Sequence, residues 1–279
     1  MKSQESSKNR NGNAVSLLLL LGLIILRFPF WITVHYKIMF VSSGLVDFIF
    51  YGLTYFFTAL LIFLKRGSLA DYNMGFGAVM IFMAAPCTAI LGEAATYKSI
   101  VRVQPDLWFR ASVSICLFIA LTIYHPKLRK KSISQIVFWS LAAVIVGICT
   151  GPFEGIILGF QTSVRISSHP TIGIILYSFF IQLGNAAAIE EPLFRGFLWG
   201  LLKKLHWHEW WIWLFQAALF WLGHIYYFGT LNYSFFILVP ITALILGLIV
   251  WRSRSIGTSM IVHGLINSLG DVLAHYVLF

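Results

Sequence analysis

Charge is what this 279-residue chain has least of: Asp, Glu, Lys and Arg make up 11% of it, and only ten residues are acidic. That scarcity excludes an ordinary water-soluble surface, for which about a quarter of the residues are usually charged. The net charge of +10 therefore has no soluble basic domain to sit on, and a nucleic-acid partner is excluded with it. Cysteine is scarce as well. Cys87, Cys116 and Cys149 lie inside apolar sequence without metal-ligand spacing, so they define neither a disulfide framework nor a thiolate metal site. No internal repeat or low-complexity linker divides the chain.

What is present is apolar: 59% of the residues are hydrophobic and 16% aromatic, in blocks long enough to cross a bilayer. The blocks fall near 14–34, 45–64, 74–91, 108–124, 133–160, 171–203, 210–228, 233–251 and 256–278. The expected fold is all-α, a polytopic transmembrane bundle of about eight to nine spans. Its parts are a polar tail over 1–13, N-terminal transmembrane helices over 14–170 and a C-terminal core over 171–279. Lys2, Lys8 and Arg10 before "AVSLLLLLGLIIL" give the first block the look of a signal peptide. No small-residue cleavage site follows before "RFPFWITVHY", so it counts as a span.

Basic residues test the topology, because short cytoplasmic loops retain Lys and Arg. With the N-terminus inside, alternate loops hold Lys65 and Arg66, "KLRKK" at 127–131, Lys203 and Lys204, and Arg252 and Arg254. With the tail these are thirteen of the twenty basic residues. Five fall outside (Lys37, Lys98, Arg102, Arg110, Arg165) and two within spans (Arg27, Arg195). The positive charge thus reads as membrane orientation and contact with anionic lipid. Gly151, Gly155 and Gly159 recur every fourth residue, as do Gly196 and Gly200, a spacing that lets helix backbones approach closely.

Against this background "AAIEEPLFRGFLWG", residues 187–200, is anomalous. Glu190, Glu191 and Arg195 stand in sequence fit for the middle of a membrane, where an ionisable side chain costs at least ~2.5–3.5 kcal/mol. Glu191 and Arg195 are four apart and can neutralise one another, while Glu190, about 100° around the helix, faces elsewhere. Two further polar groups lie downstream: "FWLGH", ending at His224, and "HGLIN", from His263 to Asn267. Phe220 and His224 share a helix face, as do His263 and Asn267. At ~1.5 Å per residue from the basic flanks, Glu190 is ~20 Å deep, His224 ~21 Å, and His263 and Asn267 ~12 and ~18 Å. Pro192, which lacks a backbone donor, predicts a kink beside the glutamates.

Each piece has a bland reading. A membrane histidine or asparagine often serves as interhelical glue, and a Glu–Arg pair as a structural ion pair. Asp47, Glu154 and Asp271, single and without obvious partners, read as structural. Together, a carboxylate, two imidazoles and an amide at similar depth are the parts of a water-activating hydrolytic site.

At these residues the chain resembles the CPBP intramembrane proteases, also called the Abi family, which include the type II CAAX prenyl endopeptidases. The family pattern is two glutamates with an arginine four after the second, a phenylalanine with a histidine four later, and a histidine with an asparagine four later. All three are present in order as "EEPLFR", "FWLGH" and "HGLIN", and the resemblance covers roughly 171–279. It implies a membrane-embedded endopeptidase in which Glu190 is general base on a water, in a poorly solvated site. His224 would hold or share that water's proton, while His263 and Asn267 would donate to the oxyanion. Glu191 with Arg195 would brace the helix. The resemblance favours this glutamate mechanism without a metal cofactor; zinc held by buried carboxylate and imidazole is the alternative, although no "HExxH" helix is present.

The implied partners are a membrane peptide or lipidated protein substrate and membrane lipids. The expected location is the cell membrane of a prokaryote, as a multi-pass protein. A non-catalytic scaffold, immunity or regulatory protein of the same fold is the runner-up, and a transporter with buried charge and broken helices the third reading. Charge-derived topology places the site toward the non-cytoplasmic end of its helices, since His224 stands only ~8 Å before Gly229.

Overall fold

A computed structural model describes residues 2–35, 43–161 and 170–276. Lys37, Arg165 and the end of the last expected span lie outside the described residues. Among the described residues the chain makes nine helical passes and no strand. We number them α1 (Lys2–His35), α2 (Ser43–Leu64), α3 (Phe76–Tyr97), α4 (Pro105–Tyr124), α5 (Ile133–Gly159), α6 (Ile172–Lys204), α7 (Glu209–Leu222), α8 (Ser234–Ser253) and α9 (Ile256–Tyr276). Six of these, α2 to α6 and α8, are long and apolar enough to cross a membrane.

The remaining three explain themselves by what they face. In α9, Ser259, His263 and Ser268 are all buried, so its polar residues point into the bundle. On the outer helices apolar side chains point outward. Ile133, Phe138, Leu141 and Ile145 on α5, and Ile115, Phe118 and Ile123 on α4, are more than half exposed. An outer surface of that kind is what hydrocarbon covers, and the protein is an integral membrane protein.

Helix α5 lies along α9 with almost no space between them. A Cβ added to Gly147, Gly151 or Gly155 would stand 2.6–2.7 Å from the Cβ of Leu265, Leu269 or Leu273. The fourfold glycine spacing is thus a helix-packing stripe, one turn earlier than its sequence reading: Gly147 joins Gly151 and Gly155 against α9. Gly200 presses on Tyr72 and Gly196 on Met74, which docks α6 on the 3₁₀ turn Leu69–Tyr72.

The basic loops meet at one end of the bundle. Lys65 donates to Asn13 at 2.9 Å, the Lys127 amide to the Arg66 carbonyl at 2.9 Å, Arg129 to the Ala70 carbonyl at 2.9 Å and Lys131 to the Ser253 carbonyl at 2.6 Å. Glu209 ties Lys203 (3.1 Å) to Arg254 (2.7 Å).

Two expectations are corrected. Arg110 is no loop residue: it is buried in α4, paired with Asp106 at 2.7 Å, and donates to the Gly184 carbonyl (2.8 Å) and Asn185 (2.7 Å). An acid four residues earlier on the same face neutralises it, so it need not reach water. The span expected over 210–228 ends as a helix at Leu222. A 3₁₀ turn, Ile225–Tyr227, follows, and His224 sits at the break.

The shared basic end sets a test of orientation. In a background lacking Cys87, Cys116 and Cys149, cysteine at exposed Thr230 should react with an impermeant thiol reagent in intact cells, and cysteine at exposed Leu205 only after permeabilisation. The reverse pattern would turn the molecule over.

Candidate active site

The acidic stretch owes its geometry to an irregular helix. In α6 two π-helical stretches, Leu183–Ala187 and Pro192–Leu198, flank the α-helical turn Ala188–Glu191. Pro192 has no N–H to give to the Ala188 carbonyl, so the α ladder is interrupted there and the wider i→i+5 pattern takes over. The irregularity expected from Pro192 therefore takes the form of the π-stretch that it opens after the glutamates, while Leu183–Ala187 lies ahead of the proline.

Glu191 and Arg195 are wholly buried and pair at 3.3 Å. Arg195 also donates to the Ala243 carbonyl of α8 at 3.3 Å and lies 4.2 Å over the Phe220 ring of α7. Glu191 does more than brace α6. It accepts from the Ser259 hydroxyl and from Nδ1 of His263, at 3.0 Å, both on α9. The carboxylate therefore fixes the His263 ring with Nε2 aimed away from it.

That Nε2 stands 3.8 Å from Oε2 of Glu190. His224 approaches from the other side, its Nε2 3.7 Å from Oε1 of Glu190. The broken end of α7 makes this possible, because Nδ1 of His224 bonds the Phe220 carbonyl at 2.8 Å, an acceptor the helix no longer uses. With Nδ1 donating there, the neutral ring presents Nε2 as an acceptor. A cavity of about 380 Å³ joins Glu190, His224, His263 and Asn267. The expected side chains thus face one space, at the depth where the three helices meet.

Asn267 is placed less simply. Its amide donates to Oε1 of Gln182 at 3.3 Å, and Gln182 donates to Asp271 at 2.7 Å. Asp271, read as a residue without a partner, is linked through Gln182 to the candidate amide. Gln182 carried no signal in the sequence beyond being polar in a span.

A larger omission is Arg27. It entered the sequence argument only as a cation inside a span. In the structure it is 3% exposed, its Nη2 donates to Oε1 of Glu190, and the same nitrogen lies 3.4 Å from Nε2 of His224. Room for it exists because residue 223 is glycine: a Cβ there would sit 2.9 Å from Nε of Arg27. Oε2 of Glu190 is left buried without a hydrogen-bond partner.

Residues 171–269 match the family model described as type II CAAX prenyl endopeptidase Rce1-like. Over these residues the chain is similar to the CAAX protease family. No curated protein and no solved structure matches the chain. The match ends two residues beyond Asn267 and begins just before α6, so it contains all three motifs. The cavity, however, is not confined to the core, since Arg27, Tyr51 and Glu154 of the N-terminal helices also line it.

The donor set can be weighed against zinc. Glu190, His224 and His263 face one another, but the space between Glu190 and His224 is already held by the guanidinium of Arg27. A divalent ion would have to displace that cation. Among the described residues no group of three His, Cys, Asp or Glu side chains is arranged to hold a metal ion.

The two glutamates separate by a mutational test. Arg195→Ala leaves Glu191 buried with its ion-pair partner removed, a change worth ~3–5 kcal/mol, and should lower both thermal midpoint and abundance. Glu190→Gln should lose less, because the amide keeps the shape and still accepts from Arg27, although that cation gives up its counter-charge. Equal abundance of the two variants would overturn this division.

Proposed function

We propose that the protein is an intramembrane endopeptidase that hydrolyses a peptide bond of a membrane-associated or lipidated substrate, with Glu190 as general base. One observation carries the reading: Glu190, His224 and His263 line a single cavity, with Oε1 of Glu190 3.7 Å from Nε2 of His224 and its buried, unbonded Oε2 3.8 Å from Nε2 of His263. Those gaps are too long for direct hydrogen bonds. The gap between Oε2 of Glu190 and Nε2 of His263 suits a bridging water, while that between Oε1 and His224 is spanned by Arg27.

In this reading the water oxygen attacks the scissile carbonyl carbon as its proton passes to Oε2 of Glu190. For His224 to accept the water's second hydrogen at Nε2, that nitrogen exchanges its long 3.4 Å contact with Arg27 for the water. The carbonyl oxygen becomes an oxyanion, stabilised by Nε2–H of His263 and the amide of Asn267. Because Nδ1 of His263 already donates to Glu191, Nε2 donates only when the ring is an imidazolium. Each such donor is worth ~2.7–4 kcal/mol in other hydrolases. Glu190 then returns its proton to the leaving nitrogen and the C–N bond breaks.

The lipidated class of substrate is proposed from the similarity to type II CAAX prenyl endopeptidases. The lipid-facing apolar walls and the deep site favour a substrate already anchored in the bilayer. The proposed location is the cell membrane of a prokaryote.

The direct test is a comparison of membrane peptides by mass spectrometry from cells carrying wild-type protein or Glu190→Gln. Peptides cut at one new terminus should appear only with the wild type. Identical peptide sets, with full biological activity of Glu190→Gln, would replace the enzyme by a non-catalytic scaffold.

Metal dependence is a second test, on the purified protein with a substrate found in that way. Turnover should persist after exhaustive chelation. Its loss, with specific rescue by zinc, would reassign His224 and His263 as ligands.

A further inference from the structure

We propose that Arg27, on the first helix and outside the region of family resemblance, is the positioning residue of the catalytic glutamate. The inference rests on the endopeptidase reading of the site. It starts from the unequal treatment of the two oxygens of Glu190. Oε1 accepts from Nη2 of Arg27 and has His224 at 3.7 Å, while Oε2 has no partner and faces His263 across the cavity. A carboxylate turns easily about its terminal torsion unless one oxygen is held. The guanidinium holds one, and the other is presented to the water.

The arginine is itself held. Its carbon lies 5.7 Å over the Phe194 ring and 5.9 Å over that of Phe220, and the missing side chain at Gly223 leaves the passage its stem uses. Phe194 comes from α6 and Phe220 from α7, so the cation is registered against the two helices that supply Glu190 and His224. Its place 3.4 Å from Nε2 of His224 also limits that ring to the rotation in which Nδ1 bonds the Phe220 carbonyl. Arg27 acts through Glu190 and His224 and needs no contact with the peptide.

Positioning of this kind affects the chemical step more than binding, since a misplacement of about 1 Å can cost ~100-fold in rate. In protein reconstituted in lipid nanodiscs, Arg27→Met should lower kcat by ~100-fold while KM changes less than ~3-fold. Arg27→Lys keeps the charge and one donor but not the planar fork, and should lie between, with a loss of ~10-fold in kcat at unchanged KM. Rates are taken per folded molecule. Should Arg27→Met fail to accumulate, the lysine variant alone decides.

Wild-type kcat in either folded variant, or a loss confined to KM, would overturn the proposal. Glu190→Gln measured alongside separates the two claims. Inactive Glu190→Gln with fully active Arg27→Met overturns only the role of Arg27. Fully active Glu190→Gln overturns the endopeptidase reading and the role of Arg27 with it.

Discussion

The structure depends on the mutual neutralisation of charges that the membrane interior does not tolerate alone. Glu190, Glu191, Arg27 and Arg195 are each at most 7% exposed, in largely apolar stretches of their helices. One such charge without a partner costs at least ~2.5–3.5 kcal/mol on insertion scales, a large part of the net stability of a typical domain. Two acids and two bases cancel only if α1 docks against α6 and α7, and if α6 turns its two glutamates to different neighbours. The glycine at 223 and the π-turns beside Pro192 satisfy those steric conditions. Packing of the apolar surfaces then follows, because the ion pairs set which helices touch and in what register.

Adjacency explains why two glutamates are present and differ. Consecutive residues point about 100° apart, so one carboxylate can enter the protein wall while the next faces the cavity. Glu191 has its oxygens filled by Arg195, Ser259 and His263 and links α6 to α9. Glu190 has one oxygen filled and one free. A fully satisfied carboxylate is a structural element. A half-satisfied one, next to an imidazole oriented by its neighbour, can exchange a proton without dismantling the bundle.

Much of this was legible in the residues, for stated reasons. Nine passes could be read because each is a long apolar block bounded by basic or turn residues, and lipid imposes that pattern on any helix. Glu190, Glu191, Arg195, His224, His263 and Asn267 stood out because polar side chains are rare there. Arg27 was equally rare yet was read only as a count, since its partner lies 163 positions away and no local spacing links them. Gln182 and Ser259 are residue types that helices carry anywhere. The end of α7 at Leu222 had only Gly223 as a signal, and the π-turns none, because a change of hydrogen-bond register leaves the side-chain pattern nearly intact. Arg110 differs, because its neutralising partner Asp106 is only four residues earlier, a spacing that is legible in the sequence.

The charge balance also bears on how the two parts of the chain are related. Within residues 171–279 the buried site contains Glu190 and Glu191 against Arg195, one negative charge in excess when both imidazoles are neutral. Histidine can supply the missing proton during turnover, but a site that needs a charged imidazole to balance its resting charge has lost a freely titrating one. Arg27 removes that conflict. A permanent cation from the first helix balances these glutamates, so neither imidazole has to be charged for them. The N-terminal helices, which carry none of the motifs, thereby make the motif-bearing core electrically tolerable in a membrane. The recognised region and the working site are different sets of residues, because sequence patterns follow local spacing and electrostatics follows distance.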